Sequence, residues 1–66
     1  MAETIIVDQD GGPLVLIEAA LWPPVGAIVE LRDPSREAVV REVRLRLFPG
    51  HASIQVQVED PLAHPL

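Results

Sequence analysis

Apolar and polar residues alternate strictly in two stretches of this 66-residue chain. Val43-Arg44-Leu45-Arg46-Leu47 and Ile54-Gln55-Val56-Gln57-Val58 each place every second side chain in the apolar class. That is the period of a strand with one face buried. Folded about Pro49-Gly50, residues whose numbers sum to 99 come opposite one another. Leu47 then faces Ala52, Leu45 faces Ile54 and Val43 faces Val56 on one side. Arg46, Arg44 and Glu42 face Ser53, Gln55 and Gln57 on the other. A slip of one residue would mix the two sides, so the pattern specifies the register.

The rest of the chain is cut into runs of similar length by turn-forming clusters. These are Asp10-Gly11-Gly12-Pro13, Trp22-Pro23-Pro24, Asp33-Pro34-Ser35-Arg36 and Phe48-Pro49-Gly50-His51. Between them lie five β-rich segments, at about 3–8, 14–21, 26–32, 37–47 and 52–59. Short strands at even spacing predict an all-β fold. Only residues 36–48 are long enough for a helix, and their period is two. Asp10-Gly11 is the preferred pair for a two-residue hairpin turn. Asp33-Pro34 suits the first two positions of a type I turn. The doublet Val39-Val40 puts apolar groups on both faces, which predicts a bulge or bend in a long fourth strand. Such a bend lets a five-stranded antiparallel meander curl into a small barrel. The expected domain is 1–60. Glu59-Asp60-Pro61 should end the last strand, leaving 61–66 as an extended, proline-containing tail.

From Pro24 the chain reads Pro24-Val25-Gly26, then Val29-Glu30-Leu31, then Val39-Val40-Arg41-Glu42-Val43, Leu45-Arg46-Leu47 and Ile54-Gln55-Val56-Gln57-Val58. Over residues 24–59 this spacing resembles the small SH3-like barrel proteins of bacteria and their phages. The resemblance implies a fold and no particular activity, since that architecture carries many functions. By analogy, the size and acidity fit a phage or mobile-element accessory or virion component.

Composition narrows the classes. A third of the residues are Val, Ile or Leu, which argues against disorder despite a net charge of −5. No apolar run approaches the roughly 18 residues of a membrane span, and Met-Ala-Glu-Thr lacks the basic start of a signal peptide. The reading is a cytoplasmic protein with no membrane partner. The absence of cysteine removes disulfides and thiolate metal sites. A domain this short has a marginal core of its own, so association is a natural source of further stability.

Few residues offer chemistry. His51 is expected in a turn and His64 in the tail, and neither has companions at metal-ligand spacing. The side-chain hydroxyls are Thr4, Ser35 and Ser53. Ser53 lies two residues from His51, but no orienting acid is evident. Gly11-Gly12 leads into a proline and a strand, not a phosphate loop. No catalytic residue, metal or cofactor is expected, and the chain reads as a non-enzyme. Arg41, Arg44 and Arg46, with Gln55 and Gln57 across the strand pair, form a candidate polar and basic face. A nucleic-acid-binding barrel could use it through phosphate contacts. Acidic neighbours and the overall negative charge weigh against that partner, and the plain alternative is a solvated outer face.

Three segments are apolar on both sides: Ile5-Ile6-Val7, Leu14-Val15-Leu16-Ile17 and Ala27-Ile28-Val29. A barrel interior takes only alternate residues, and strands apolar throughout are normally covered on both faces. The expected function is therefore protein association, foremost self-association as a dimer. Ile6, Val15, Ile17, Trp22 and Ile28 are the candidate interface. Trp22, just before two prolines, either plugs an open barrel end or anchors a partner.

Overall fold

A computed structural model of the chain describes residues 2–32 and 35–60. Five strands carry the fold: β1 (Ala2–Val7), β2 (Pro13–Ile17), β3 (Ile28–Arg32), β4 (Ser35–Phe48) and β5 (His51–Glu59). Among the described residues there is no helix. The strands form one curled sheet in the order β2-β1-β5-β4-β3.

The all-β reading holds, but the fully antiparallel meander does not. β1 runs parallel to β5, with Thr4 beside Ile54 and Ile6 beside Val56. β1 and β5 carry eight of the ten buried residues. Two strands this well covered belong in the middle of a sheet, so β2 is displaced to one edge and β3 to the other. These edges do not pair, and the sheet stays a half-barrel open between them.

The β4–β5 hairpin has the expected register. All six pairs are present, from Glu42–Gln57 to Leu47–Ala52, and Phe48 pairs with His51. His51 is thus the first residue of β5 rather than part of the turn. Pro49 holds φ near −65°, which rules out the primed hairpin turns that need positive φ at that position. Gly50, at φ 74°, supplies the left-handed second residue that a type II turn requires. The register shifts between Val40 and Glu42, leaving Arg41 as the extra residue. The bulge falls just beyond the Val39-Val40 doublet. At about 3.3 Å per residue, the 14 residues of β4 account for the 41 Å length of the molecule. β5 ends at Glu59, ahead of Asp60 and Pro61.

The first hairpin differs from the two-residue Asp10-Gly11 turn. Asp8 accepts the Gly11 N–H through its carbonyl at 3.0 Å and donates its own N–H to the Gly12 carbonyl at 2.9 Å. Gln9, Asp10 and Gly11 make a three-residue loop, with Gly11 left-handed at φ 87°. The Asp8 carboxylate fastens this loop by accepting the N–H groups of Asp10 at 2.9 Å and Gly12 at 2.8 Å. Asp8 therefore takes the capping role at the turn's first position, which Asp commonly fills. Asp33-Pro34 and the tail 61–66 lie outside the described residues.

β2 stops at Ile17, short of 21, and 18–27 crosses the gap between the two edges. Gly26 donates to the Val40 carbonyl at 2.7 Å and Val40 to that of Ala27 at 2.8 Å, so the crossing segment rejoins the sheet just before β3. The core lies on the concave side: Ile6 from β1, Ala38 and Val40 from β4, Ile54, Val56 and Val58 from β5.

A candidate association face

Curling brings the inward side chains of both sheet edges toward one another without joining them. The result is an open groove of about 580 Å³. Its floor is Thr4, Ile6 and Val56, one wall is Val15 and Ile17 of β2, and the other is Val29 and Leu31 of β3. Leu21, Trp22 and Pro23 of the crossing segment form the rim. The volume falls in the range of roughly 300–1,000 Å³ typical of ligand sites. The lining is almost wholly apolar, with Glu30 and Arg32 at the β3 margin.

Thr4 holds the rim in place. It is 1 % exposed, and its hydroxyl donates to the Ala19 carbonyl at 2.6 Å while accepting the Leu21 N–H at 2.9 Å. A buried hydroxyl in an apolar strand needs partners, and this one obtains both from the segment it must anchor. Only the place of this hydroxyl directly before Ile5-Ile6-Val7 hinted at that role. Trp22 remains 57 % exposed and Leu21 43 %, so the rim offers its aromatic ring to solvent instead of sealing the groove.

Four of the five candidate interface residues meet here. Ile6 is buried in the floor, Val15 and Ile17 are half-buried walls, and Trp22 stands on the rim. Ile28 is 65 % exposed and pairs with Val39 on the convex side, away from the other four. Leu16, opposite Ile5, is likewise exposed on that outer side.

A second apolar feature occupies the same concave surface. Beyond Val43, the β4–β5 hairpin projects as an arm. Leu45 and Leu47 follow Val43 on the inner face, yet they are 49 % and 74 % exposed, and Phe48 at the tip is 52 % exposed. Among the described residues, only β1 flanks the arm on its β5 side, ending at Ala2 beside Ala52, and no strand crosses above it. The arm tip is tied to β1 by the His51 Nε2–Glu3 Oε1 contact at 2.9 Å, with the Phe48 ring 5.8 Å from the His51 ring. Glu3 is a partner for His51 that no local pattern announced. No hydrogen bond joins His51 to Ser53 among the described residues.

The polar candidates lie on the convex side. Arg44 stands opposite Gln55 and Arg46 opposite Ser53, as the register required. Much of this face is already engaged. Arg41, turned by the bulge, bonds the nearly buried Glu59 carboxylate at 2.9 Å, and Arg44 bonds Glu42 at 2.6 Å. Gln57 donates to the Gln9 carbonyl at 3.1 Å. Arg46 makes no ion pair among the described residues. No group of His, Asp and Glu among them has metal-binding geometry, and no helix is long and apolar enough to cross a membrane.

Compared with known protein families, curated proteins and solved structures, the chain matches none of them.

Proposed function

We infer that this chain is a non-enzymatic association module that binds protein, foremost a second copy of itself, through the open side of its half-barrel. The observation that carries this reading is the exposure of inward-facing apolar side chains at two places on one surface: Leu21 and Trp22 on the groove rim, and Leu45 and Leu47 on the arm. Soluble monomers rarely leave a contiguous apolar patch beyond a few hundred Å² uncovered. Covering about 400 Å² at roughly 25 cal/mol per Å² contributes on the order of 10 kcal/mol per copy before the costs of association. Trp is also the residue most often found as an interface anchor. Kinship with SH3-like barrels belongs to the same proposal. It rests on the strand count, the curl and the spacing over 24–59, with the parallel β1–β5 pair as a departure from a simple meander.

Light scattering after size exclusion, over a hundredfold dilution, tests the reading. The expected mass at high concentration is twice 7.2 kDa. A monomer mass at every concentration overturns self-association. Salt-sensitive binding to DNA or RNA, with a steep log–log slope, would move the function to the Arg44–Arg46 side.

A further inference from the structure

The outermost strands of the sheet, β2 and β3, each pair on one side only among the described residues. A free strand edge presents a row of N–H and C=O groups to which another strand can add. β2 opens on Pro13, which has no N–H to give, and its uncharged Pro-Leu-Val-Leu-Ile favours no register over another. β3 differs. It contains no proline, and its exposed Glu30 and Arg32 stand two residues apart on one side of the strand. Resting on the self-association reading, we propose that two copies join edge to edge through antiparallel β3 strands. A two-fold axis passes through Leu31, and Glu30 of each copy lies opposite Arg32 of the other.

The charge pattern selects this register from the few that are possible. Only alternate residues turn their backbone groups to a free edge, so the axis of a self-pairing passes through a residue and never between two. An axis at Leu31 sets Glu30 opposite Arg32 twice. An axis at Glu30 sets Glu30 against its own copy, and one at Arg32 does the same for arginine. An axis at Val29 sets Glu30 against the apolar Ile28. Opposite charges directly across a strand pair are favourable, and like charges are not. Edge charges often serve to block pairing, but this Glu and Arg block only the registers centred on themselves. Within one copy, Glu30 already stands opposite Glu37 of β4. Neither carboxylate has an ion-pair partner among the described residues, and neither does Arg32. The second copy's Arg32 supplies the cation that this like-charged pair lacks. β5 ends opposite Val39. Beyond it, among the described residues, 29–32 and 35–38 continue as a two-stranded ribbon. Leu31 and Arg32 also line the groove, so the joint lies at the margin of the open side. Two five-residue edges make a small contact, of the kind found in weak, concentration-dependent dimers. The two-fold contact is closed and stops at two copies.

Charge reversal and mixing provide the test, on the full chain. Glu30→Arg and Arg32→Glu each turn both cross-copy pairs from attraction to repulsion. Both residues are exposed, so circular dichroism should show the variants folded. Sedimentation equilibrium should show each raising the dimer dissociation constant about tenfold or more. Mixed in equal amounts, the two should form a heterodimer of about wild-type affinity, because every Glu again meets an Arg. A chain carrying both changes should likewise dimerise as the wild type does. Raised salt should narrow all of these differences. Wild-type dimers whose affinity either single variant leaves unchanged overturn the β3 pairing while self-association stands. So does a mixture that dimerises no better than its two components. A wild-type monomer at every concentration overturns both.

Discussion

The fourth strand behaves in opposite ways at its two ends. In the body, Val56 and Val58 of β5 and Val40 of β4 are at most 1 % exposed. Along the arm, Leu45 and Leu47 sit on the same inner face of the same hairpin and are half to three-quarters exposed. Alternation is unbroken from Ile54 to Val58 in the one and from Val43 to Leu47 in the other. Alternation sets which face a side chain joins, and topology sets whether anything lies across from it. In the body, β1 and β2 on one side and β3 on the other curl over the hairpin. The arm has only the first residues of β1 beside it, and Leu45 and Leu47 on its inner face stay exposed.

That contrast can be broken most forcefully in the body. Val56→Asp places a charge without a partner at the centre of the core. A domain of this size has only about 3–5 kcal/mol of stability to lose, so circular dichroism should find the variant unfolded. Val43 is half-buried where the body passes into the arm, and Val43→Asp should be the milder change. Ile6→Ala should lower stability by about 2–5 kcal/mol in urea titration, the usual range for a buried Ile. A value near zero would show that the groove floor is not packed as the structure has it.

Smaller effects sharpen the boundary. Thr4→Val keeps the shape but leaves the Ala19 carbonyl and the Leu21 N–H without their partner. The expected loss is about 1–3 kcal/mol, read as a melting temperature lower by several degrees. Arm substitutions should act differently. Measured below the dimer dissociation constant, Leu47→Ser should change monomer stability by no more than about 0.5 kcal/mol. At high concentration it should lower the melting point, because association no longer contributes. Arg44→Ala removes an ion pair exposed on both sides and should cost at most about 1 kcal/mol. It is the smallest effect of the series.

Legibility in the sequence followed distance along the chain. The β4–β5 register was written in two alternating runs joined by two residues, and the bulge was marked by an apolar doublet. The parallel pairing of β1 with β5 joins residues about 50 apart, and no local pattern encodes such a partner. Without it the chain reads as a meander, and the open seam between β2 and β3 stays hidden. The first turn was misplaced for a subtler reason. Asp10-Gly11 is the familiar hairpin pair, but Asp8-Gln9-Asp10-Gly11 places Asp first and Gly last in a type I turn, and the Asp8 carboxylate closes it. Of the groove lining, Val15, Ile17 and Trp22 were reachable because each lies in or beside an apolar run with no room to bury both faces. Ile28 was drawn from the same reasoning and stands on the convex side. Leu45 and Leu47 escaped notice because their alternation is that of an ordinary core strand.

Trp22 is the only tryptophan in the chain, and it stands on the rim where a second copy would dock. Its fluorescence therefore reports directly on whether the open side is covered. As wild-type protein is concentrated through the dimer dissociation constant, emission should move to shorter wavelength and quenching by acrylamide should fall. A variant with Leu45→Asp and Leu47→Asp should keep the long-wavelength, quenchable signal throughout. Dimers in which Trp22 stays as quenchable as in the monomer would contradict an association through this face.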